Sequence, residues 1–249
     1  MGHPDPIAFT IFGVDIRWYG ILIAAGMLTA VLISCKRAPL HGITDEDVLD
    51  IALWMLPVGV IGARAYYVLF NLDYYKTLGS MLDIRSGGLA IHGGLLFGLI
   101  TVLLVCRHKK IDPLNVLDLF VPTVALAQAI GRWGNFFNGE AHGGPTDLPW
   151  GIMVDGVRVH PTFLYESIWC VLLFIALSWF NKHKRYAHGQ TLALYFIFYS
   201  LERLLVESLR TDSLMIGPFK QAQVISVCAI IAGVILYRWC SAHKRFSDH

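Results

Sequence analysis

Stretches of about twenty mostly apolar residues recur along this chain, and they decide what it can fold into. They lie at about 17–35, 48–70, 88–106, 162–180, 190–206 and 219–240. A bilayer core about 30 Å thick takes roughly 20 such residues per helix. A seventh stretch, 114–131, is weaker because it holds Asp118, Pro122 and Gln128. It is accepted because the loops require it. Only 15% of the 249 residues are charged and 55% are hydrophobic, against about 25% charged in soluble domains. The expected fold class is an all-α integral membrane protein with seven transmembrane helices, forming one polytopic domain over residues 1–249.

Orientation follows from the loops, since Lys and Arg gather in short cytoplasmic ones. Lys36 and Arg37 follow the first span, Arg107, Lys109 and Lys110 the third, and Lys182, Lys184 and Arg185 the fifth. Arg238, Lys244 and Arg245 end the chain, so eleven of the 20 basic residues fall on one side. Seven spans with the N-terminus outside and the C-terminus cytosolic satisfy this alternation; an even number breaks it. The net charge of +2 is too small to argue for nucleic acid, and the clusters suit topology and anionic lipid head groups.

The opening "MGHPDPIAFTIFGVDIRWYG" has no basic segment before its apolar part, so the first span is expected to stay uncleaved. Cys35, Cys106, Cys170, Cys228 and Cys240 show no Cys-x-x-Cys spacing and read as small apolar fillers. The long loop at about 132–160 is rich in Gly and Pro and belongs on the outer side.

Ionisable groups inside membrane spans cost several kcal/mol unless they face a partner, water or the bundle interior, so they are the best clues to function. Here they are Arg64, His92, Asp118, Arg132, Glu140, Glu166, Glu202, Arg203 and Glu207. His92 sits in "GGLAIHGGLLFG", whose glycines suit close approach, a broken helix or a small-residue packing face. An imidazole ring suits proton transfer. In "YSLERLLVESLRTD", Tyr199, Arg203, Glu207 and Arg210 stack on one helix face. An internal Arg203–Glu207 strut is one reading of that face. A second arginine, Arg132 in "GRWGNFFNGE", is expected at the same membrane level.

Two arginines facing one cavity repel one another unless an anion sits between them, and guanidinium forks match phosphate oxygens. A phospholipid head group is the expected anion. Gly131, Gly134 and Gly139 permit turns, Asn135 and Asn138 can bond freed backbone or glycerol hydroxyls, and Glu140 can orient an arginine or act as a base. In "VHPTFLYES", His160 reads as a helix cap and Pro161 as the first helical residue. His92, His142, His160 and Glu140 lack the close spacing of a zinc site, and no metal is expected.

These same stretches carry a resemblance. "GRWGNFFNGE" is similar to the G-R-x-G-N-F-x-N-x-E signature of bacterial prolipoprotein diacylglyceryl transferases, and "RWYG", "GARAYYVLF", "IHGG", "HPTFLYE" and "RLLVESLRTD" follow the family in order along essentially the whole chain. The resemblance implies a seven-helix plasma-membrane enzyme with its active site open to the outer leaflet. It implies transfer of the diacylglyceryl group of phosphatidylglycerol to the lipobox cysteine thiol of a preprolipoprotein signal peptide, with loss of glycerol phosphate. The family's functional arginines fall on Arg132 and Arg203, its histidine on His92, and its other polar residues on Tyr19, Asn135, Glu140, Gly143 and Tyr199. Arg132, Arg203, Asn135 and Gly143 are then expected to bind the lipid. His92, Arg203, Glu140, Tyr199 and Tyr19 are expected to serve the chemistry, with His92 or Glu140 as proton acceptor and no cofactor.

A transporter or channel for an anionic solute is the alternative, and it predicts sequence repeats that are not found. A membrane-embedded protease needs a G-x-S-x-G motif, a zinc pair or facing aspartates, whereas Asp118 stands alone.

Overall fold

In a computed structural model, residues 5–75, 77–84, 87–211, 213–243 and 246 are described. Lys244 and Arg245 of the last basic cluster, and Asp212 of the last motif, lie outside the described residues. The chain forms two compact units, one of Met1–Ser34 with Leu117–His249 and one of Cys35–Val116.

The helices are α1 (Trp18–Arg37), α2 (Asp45–Leu69), the short α3 (Leu78–Leu82), α4 (Ile91–Lys109), α5 (Pro113–Phe137), α6 (Thr162–His183), α7 (Gln190–Leu209) and α8 (Gln221–His243). Three two-stranded antiparallel hairpins complete the fold: β1 (Ile7–Ile11) with β2 (Val14–Arg17), β3 (Ile152–Val154) with β4 (Val157–Val159), and β5 (Met215–Ile216) with β6 (Phe219–Lys220). Six helices, α1, α2, α4, α5, α6 and α8, are long and apolar enough to cross a membrane. α7 has the length, but Glu202, Arg203 and Glu207 lie in it. Apolar side chains point outward along the spans, as Leu28 and Leu32 do on α1 and Leu172 and Ile175 on α6, which suits lipid rather than water.

In the Cys35–Val116 unit, Thr44 caps α2. Its hydroxyl accepts from the Asp47 N–H, and the Asp47 carboxylate accepts from the Thr44 N–H, so two of the helix's orphan donors are satisfied. Lys109 at the end of α4 reaches Asp47 at 2.7 Å and Asp50 at 2.6 Å. Between these ends α2 and α4 touch backbone to backbone. A Cβ on Gly93 would meet the Gly62 carbonyl and Tyr66, and one on Gly62 would meet the Phe97 ring. Gly93→Ala is therefore expected to destabilise the protein by about 1–3 kcal/mol through overpacking. Thermal unfolding in detergent checks this, and an unchanged transition would rule the contact out as a constraint. Arg64, 4% exposed, donates to the carbonyls of Ser80, Met81, Gly87 and Gly88. It ties α3 itself, and Gly87 and Gly88 beyond it, to α2.

In the other unit α1 lies along α5. A Cβ on Gly26 would stand 3.0 Å from the Ala127 carbonyl, and the Ser34 and Thr123 hydroxyls bond at 2.9 Å. α5 meets α6 where Ser167 donates to the Ala129 carbonyl, and around Ala125, Leu173 and Leu177. α7 and α8 close together where Gly233 faces the Ala193 carbonyl. Asp118 does not stand alone. It is fully buried and accepts from the backbone N–H of Gly189 at 2.7 Å and Leu192 at 2.8 Å, with Arg185 at 3.3 Å. A carboxylate from α5 thus caps the start of α7, where the helix dipole favours negative charge.

Five expectations change. The fourth span does not stop near 131: α5 runs to Phe137, so Arg132 and Asn135 are helical and lie outside the long loop. That loop also contains the β3–β4 hairpin. Gly131 and Gly134 make no turns. A Cβ on Gly134 would stand 2.7 Å from the Tyr19 ring and one on Gly131 3.2 Å from Ile23, so both let α1 pack close; Gly139 alone of the three turns, at φ +68°. Around His92 the helix is not broken, since Gly93, Gly94 and Gly98 lie within continuous α4 and only Gly87 and Gly88, before it, take positive φ. Pro161 occupies the cap position of α6 itself, with His160 one residue earlier. Among the cysteines Cys106, Cys170 and Cys240 are buried as expected, whereas Cys228 is exposed.

Candidate active site

Three helices bring their charged side chains to one place. Arg132 near the end of α5 and Arg203 on α7 both bond the same carboxylate, Glu166 on α6. Arg132 Nη2 lies 2.6 Å from Glu166 Oε2, and Arg203 Nη1 lies 3.2 Å from each Glu166 oxygen. Arg203 Nη2 also holds Glu207 at 2.8 Å, one helical turn on, so the strut read from the sequence is present. Arg210, at the end of α7, stands 3.9 Å from Glu166 Oε1. The Tyr199 hydroxyl accepts from Arg132 at 3.4 Å.

The anion between the two arginines is thus one the protein supplies. The Glu166 side chain is 1% exposed while those of Arg132 and Arg203 are each 20% exposed. The carboxylate is buried, and both arginine side chains keep some exposed surface. Each guanidinium has five donors in a planar fork, so both retain capacity for a second anion. Sequence reasoning counted Glu166 among the intramembrane charges and left it out of the site. The available signal was its depth: one turn into a span, a carboxylate needs a cationic partner.

The rest of "GRWGNFFNGE" follows Arg132 directly. After α5 ends, Glu140 accepts from Asn138 Nδ2 at 3.0 Å and Asn135 Nδ2 at 3.4 Å. Both asparagines therefore orient Glu140, and Glu140 is exposed. Gly143 passes between α6 and α7: its N–H donates to the His160 carbonyl, it bridges Arg210, and a Cβ there would stand 2.7 Å from His160 Cβ and 3.1 Å from the Leu209 carbonyl. Only glycine fits this crossing. Tyr19 is 39% exposed and lies over Gly134, with Trp18 stacked on Phe137 beside it. The His160 ring meets the Tyr165 hydroxyl at 3.4 Å, and Trp150 donates to that hydroxyl at 2.9 Å.

Arg132, Arg203 and Tyr199 are thus brought together directly, with Asn135, Glu140, Gly143 and Tyr19 on the adjoining turn and helices of the same unit. His92 belongs to the Cys35–Val116 unit, where it is exposed beside the Tyr66 ring at 6.3 Å. His142 bonds the carbonyl of its neighbour Gly143. Among the described residues no three His, Cys, Asp or Glu side chains form a metal-holding group.

Fold and site together define a helical protein of membrane character with an arginine–carboxylate cluster built across three helices. The sequence model of prolipoprotein diacylglyceryl transferases matches residues 6–239, and the chain belongs to that family. It is 53% identical over 242 residues to the phosphatidylglycerol–prolipoprotein diacylglyceryl transferase of Clostridioides difficile, covering 97% of each chain. It is 51% identical to the protein of the same name from Finegoldia magna, over 93% of this chain and 94% of that one. The Thermotoga maritima protein of that name is 47% identical over 90% of this chain and 81% of its own.

Proposed function

We propose that this chain transfers the diacylglyceryl group of phosphatidylglycerol to the lipobox cysteine thiol of a preprolipoprotein, forming a thioether and releasing glycerol phosphate. This is the first step of bacterial lipoprotein maturation. Beside family membership, the observation that carries the reading is the pair of arginines, Arg132 and Arg203, each with its side chain 20% exposed, held at one point by Glu166. In the reaction a thiolate attacks the glycerol carbon bonded to phosphate. The C–S bond forms, the C–O bond breaks, and its electron pair leaves on the phosphate oxygen. Charge therefore grows on phosphate, and pre-positioned guanidiniums stabilise it without reorganising.

Arg132 and Arg203 bind the phosphate, joined by Asn135 and Gly143 in shaping the head-group pocket, while Tyr199 and Tyr19 orient head group and glycerol. His92 or Glu140 accepts the thiol proton. Glu140 has two asparagines to fix its orientation; His92 offers an imidazole, a ring suited to proton transfer. His92→Gln is expected to lower the rate and flatten its pH dependence, and an unchanged rate and profile would remove His92 from the chemistry.

α7 supplies the seventh span, since Arg203 finds its partners in Glu166 on α6 and in Glu207 on its own helix. Seven spans in one polytopic domain place the N-terminus outside, the basic ends of α1 and α4 in the cytosol, and the arginine cluster towards the outer leaflet of the plasma membrane. Family membership weighs against the transporter reading. The test is incubation of purified protein with phosphatidylglycerol and a lipobox peptide, reading peptide mass. A diacylglyceryl adduct is expected on the cysteine peptide and none on its Cys→Ser counterpart. Equal modification of both peptides, or of neither, would sink the proposal.

A further inference from the structure

Gln128 is one of the residues that make the fourth span weak in the sequence, and it stands outside the arginine cluster. It lies on α5 one turn before Arg132, so the two share a helix face. On α7, Tyr195 lies one turn before Tyr199 in the same way. Two contacts therefore cross between α7 and α5, one turn apart. The Tyr195 hydroxyl donates to Gln128 Oε1 at 2.9 Å, and the Tyr199 hydroxyl accepts from Arg132 at 3.4 Å. The two tyrosine rings stack nearly parallel, with an interplanar angle of 11° and centroids 5.4 Å apart. Both pack against the apolar core of Ala125, Leu173 and Leu177.

An amide and a phenol against such a core are costly unless they pair, and phenylalanine facing leucine would fill the same space without that cost. What the polar pair adds is direction, because a satisfied buried hydrogen bond rigidifies its surroundings and selects one arrangement. Tyr195 is pinned from α5 at the far end of its ring, and the Tyr199 ring rests against it. The Tyr199 hydroxyl, in accepting from Arg132, keeps its own proton to donate, and phosphate and glycerol oxygens are acceptors. We infer that Tyr195 and Gln128 fix the Tyr199 ring, so that its hydroxyl meets the head group of phosphatidylglycerol in one orientation beside Arg132. Both are positioning residues, acting through Tyr199 without touching lipid. The inference rests on the transferase reading.

Transfer from phosphatidylglycerol to a lipobox peptide by the purified full chain, measured as kcat/KM for the lipid per folded molecule, tests it together with a thermal melt in detergent. Tyr195→Phe keeps the stacked ring and removes the pin, and Gln128→Leu removes the pin from the other side. Each is expected to lower kcat/KM by about tenfold, since a small misplacement of an orienting group is costly. Each should also lower the melting temperature, since it leaves one polar group unpaired. The double variant removes both polar groups and should recover the wild-type melting temperature. It should nevertheless transfer no better and no worse than either single variant, because all three lose the same constraint. Gln128→Met takes the place of the leucine if that variant folds poorly. Wild-type transfer by Tyr195→Phe, recovery of transfer along with stability in the double variant, or losses that multiply in it would each overturn the inference, while the wild-type adduct leaves the parent reading standing. A wild-type protein that forms no adduct would overturn both.

Discussion

Replacing Arg203 by alanine is expected to lower diacylglyceryl transfer by about 100-fold or more, the scale seen when one donor to a developing oxyanion is removed. Arg203 bonds both Glu166 and Glu207, so its loss also leaves buried carboxylate with less compensation. Breaking a buried pair from one side costs about 3–5 kcal/mol, and the 20% exposure of the Arg203 side chain places the expected cost toward the lower end. Transfer is therefore to be measured per folded molecule, with gel filtration and a thermal melt in detergent. Arg203→Lys separates the effects: it keeps the charge but loses the planar fork, and is expected to fold while transferring slowly. Arg132→Ala should behave like Arg203→Ala. Near-normal turnover in both alanine variants would end the phosphate-clamp proposal.

Asp118→Ala is expected to have the opposite profile. Its carboxylate accepts from Gly189, Leu192 and Arg185 in a fully buried setting. Removing it uncaps α7 and takes a buried carboxylate partner from Arg185, for an expected loss of about 3–5 kcal/mol. The melting temperature should drop markedly. Arg132 lies fourteen residues further along α5, roughly 20 Å away at 1.5 Å per residue, so transfer per surviving folded molecule should stay near wild type. A stable Asp118→Ala protein would show that the α5 carboxylate is not what holds the start of α7.

The two expectations differ because the sequence shows two kinds of buried charge without telling them apart. Apolar length located most of the long helices to within a few residues, because lipid requires it of each helix independently. It failed at the end of α5, where "GRWGNFF" is polar enough to look like loop and yet is helix, its small residues taken up by packing against Tyr19 and Ile23. Helical spacing made the Arg203–Glu207 bridge legible, since both partners lie on one helix. Spacing along a chain says nothing of partners on another helix. Glu166 between two arginines, Asp118 at the start of α7 and Gln128 bonded to Tyr195 all depend on how α5, α6 and α7 pack, and so emerged only in three dimensions.

Glu166 also bears on how the proposed reaction ends. A phosphate that enters the cluster competes for guanidinium donors with a carboxylate tethered beside them, hence present at high effective concentration. A lipid fixed in the same membrane meets that competition at every encounter with the site. Glycerol phosphate, once cut from its lipid, has no such tether, and the carboxylate is ready to take the donors back. On the proposed mechanism, the residue that holds the arginines in place before substrate arrives is also the one that would evict the product.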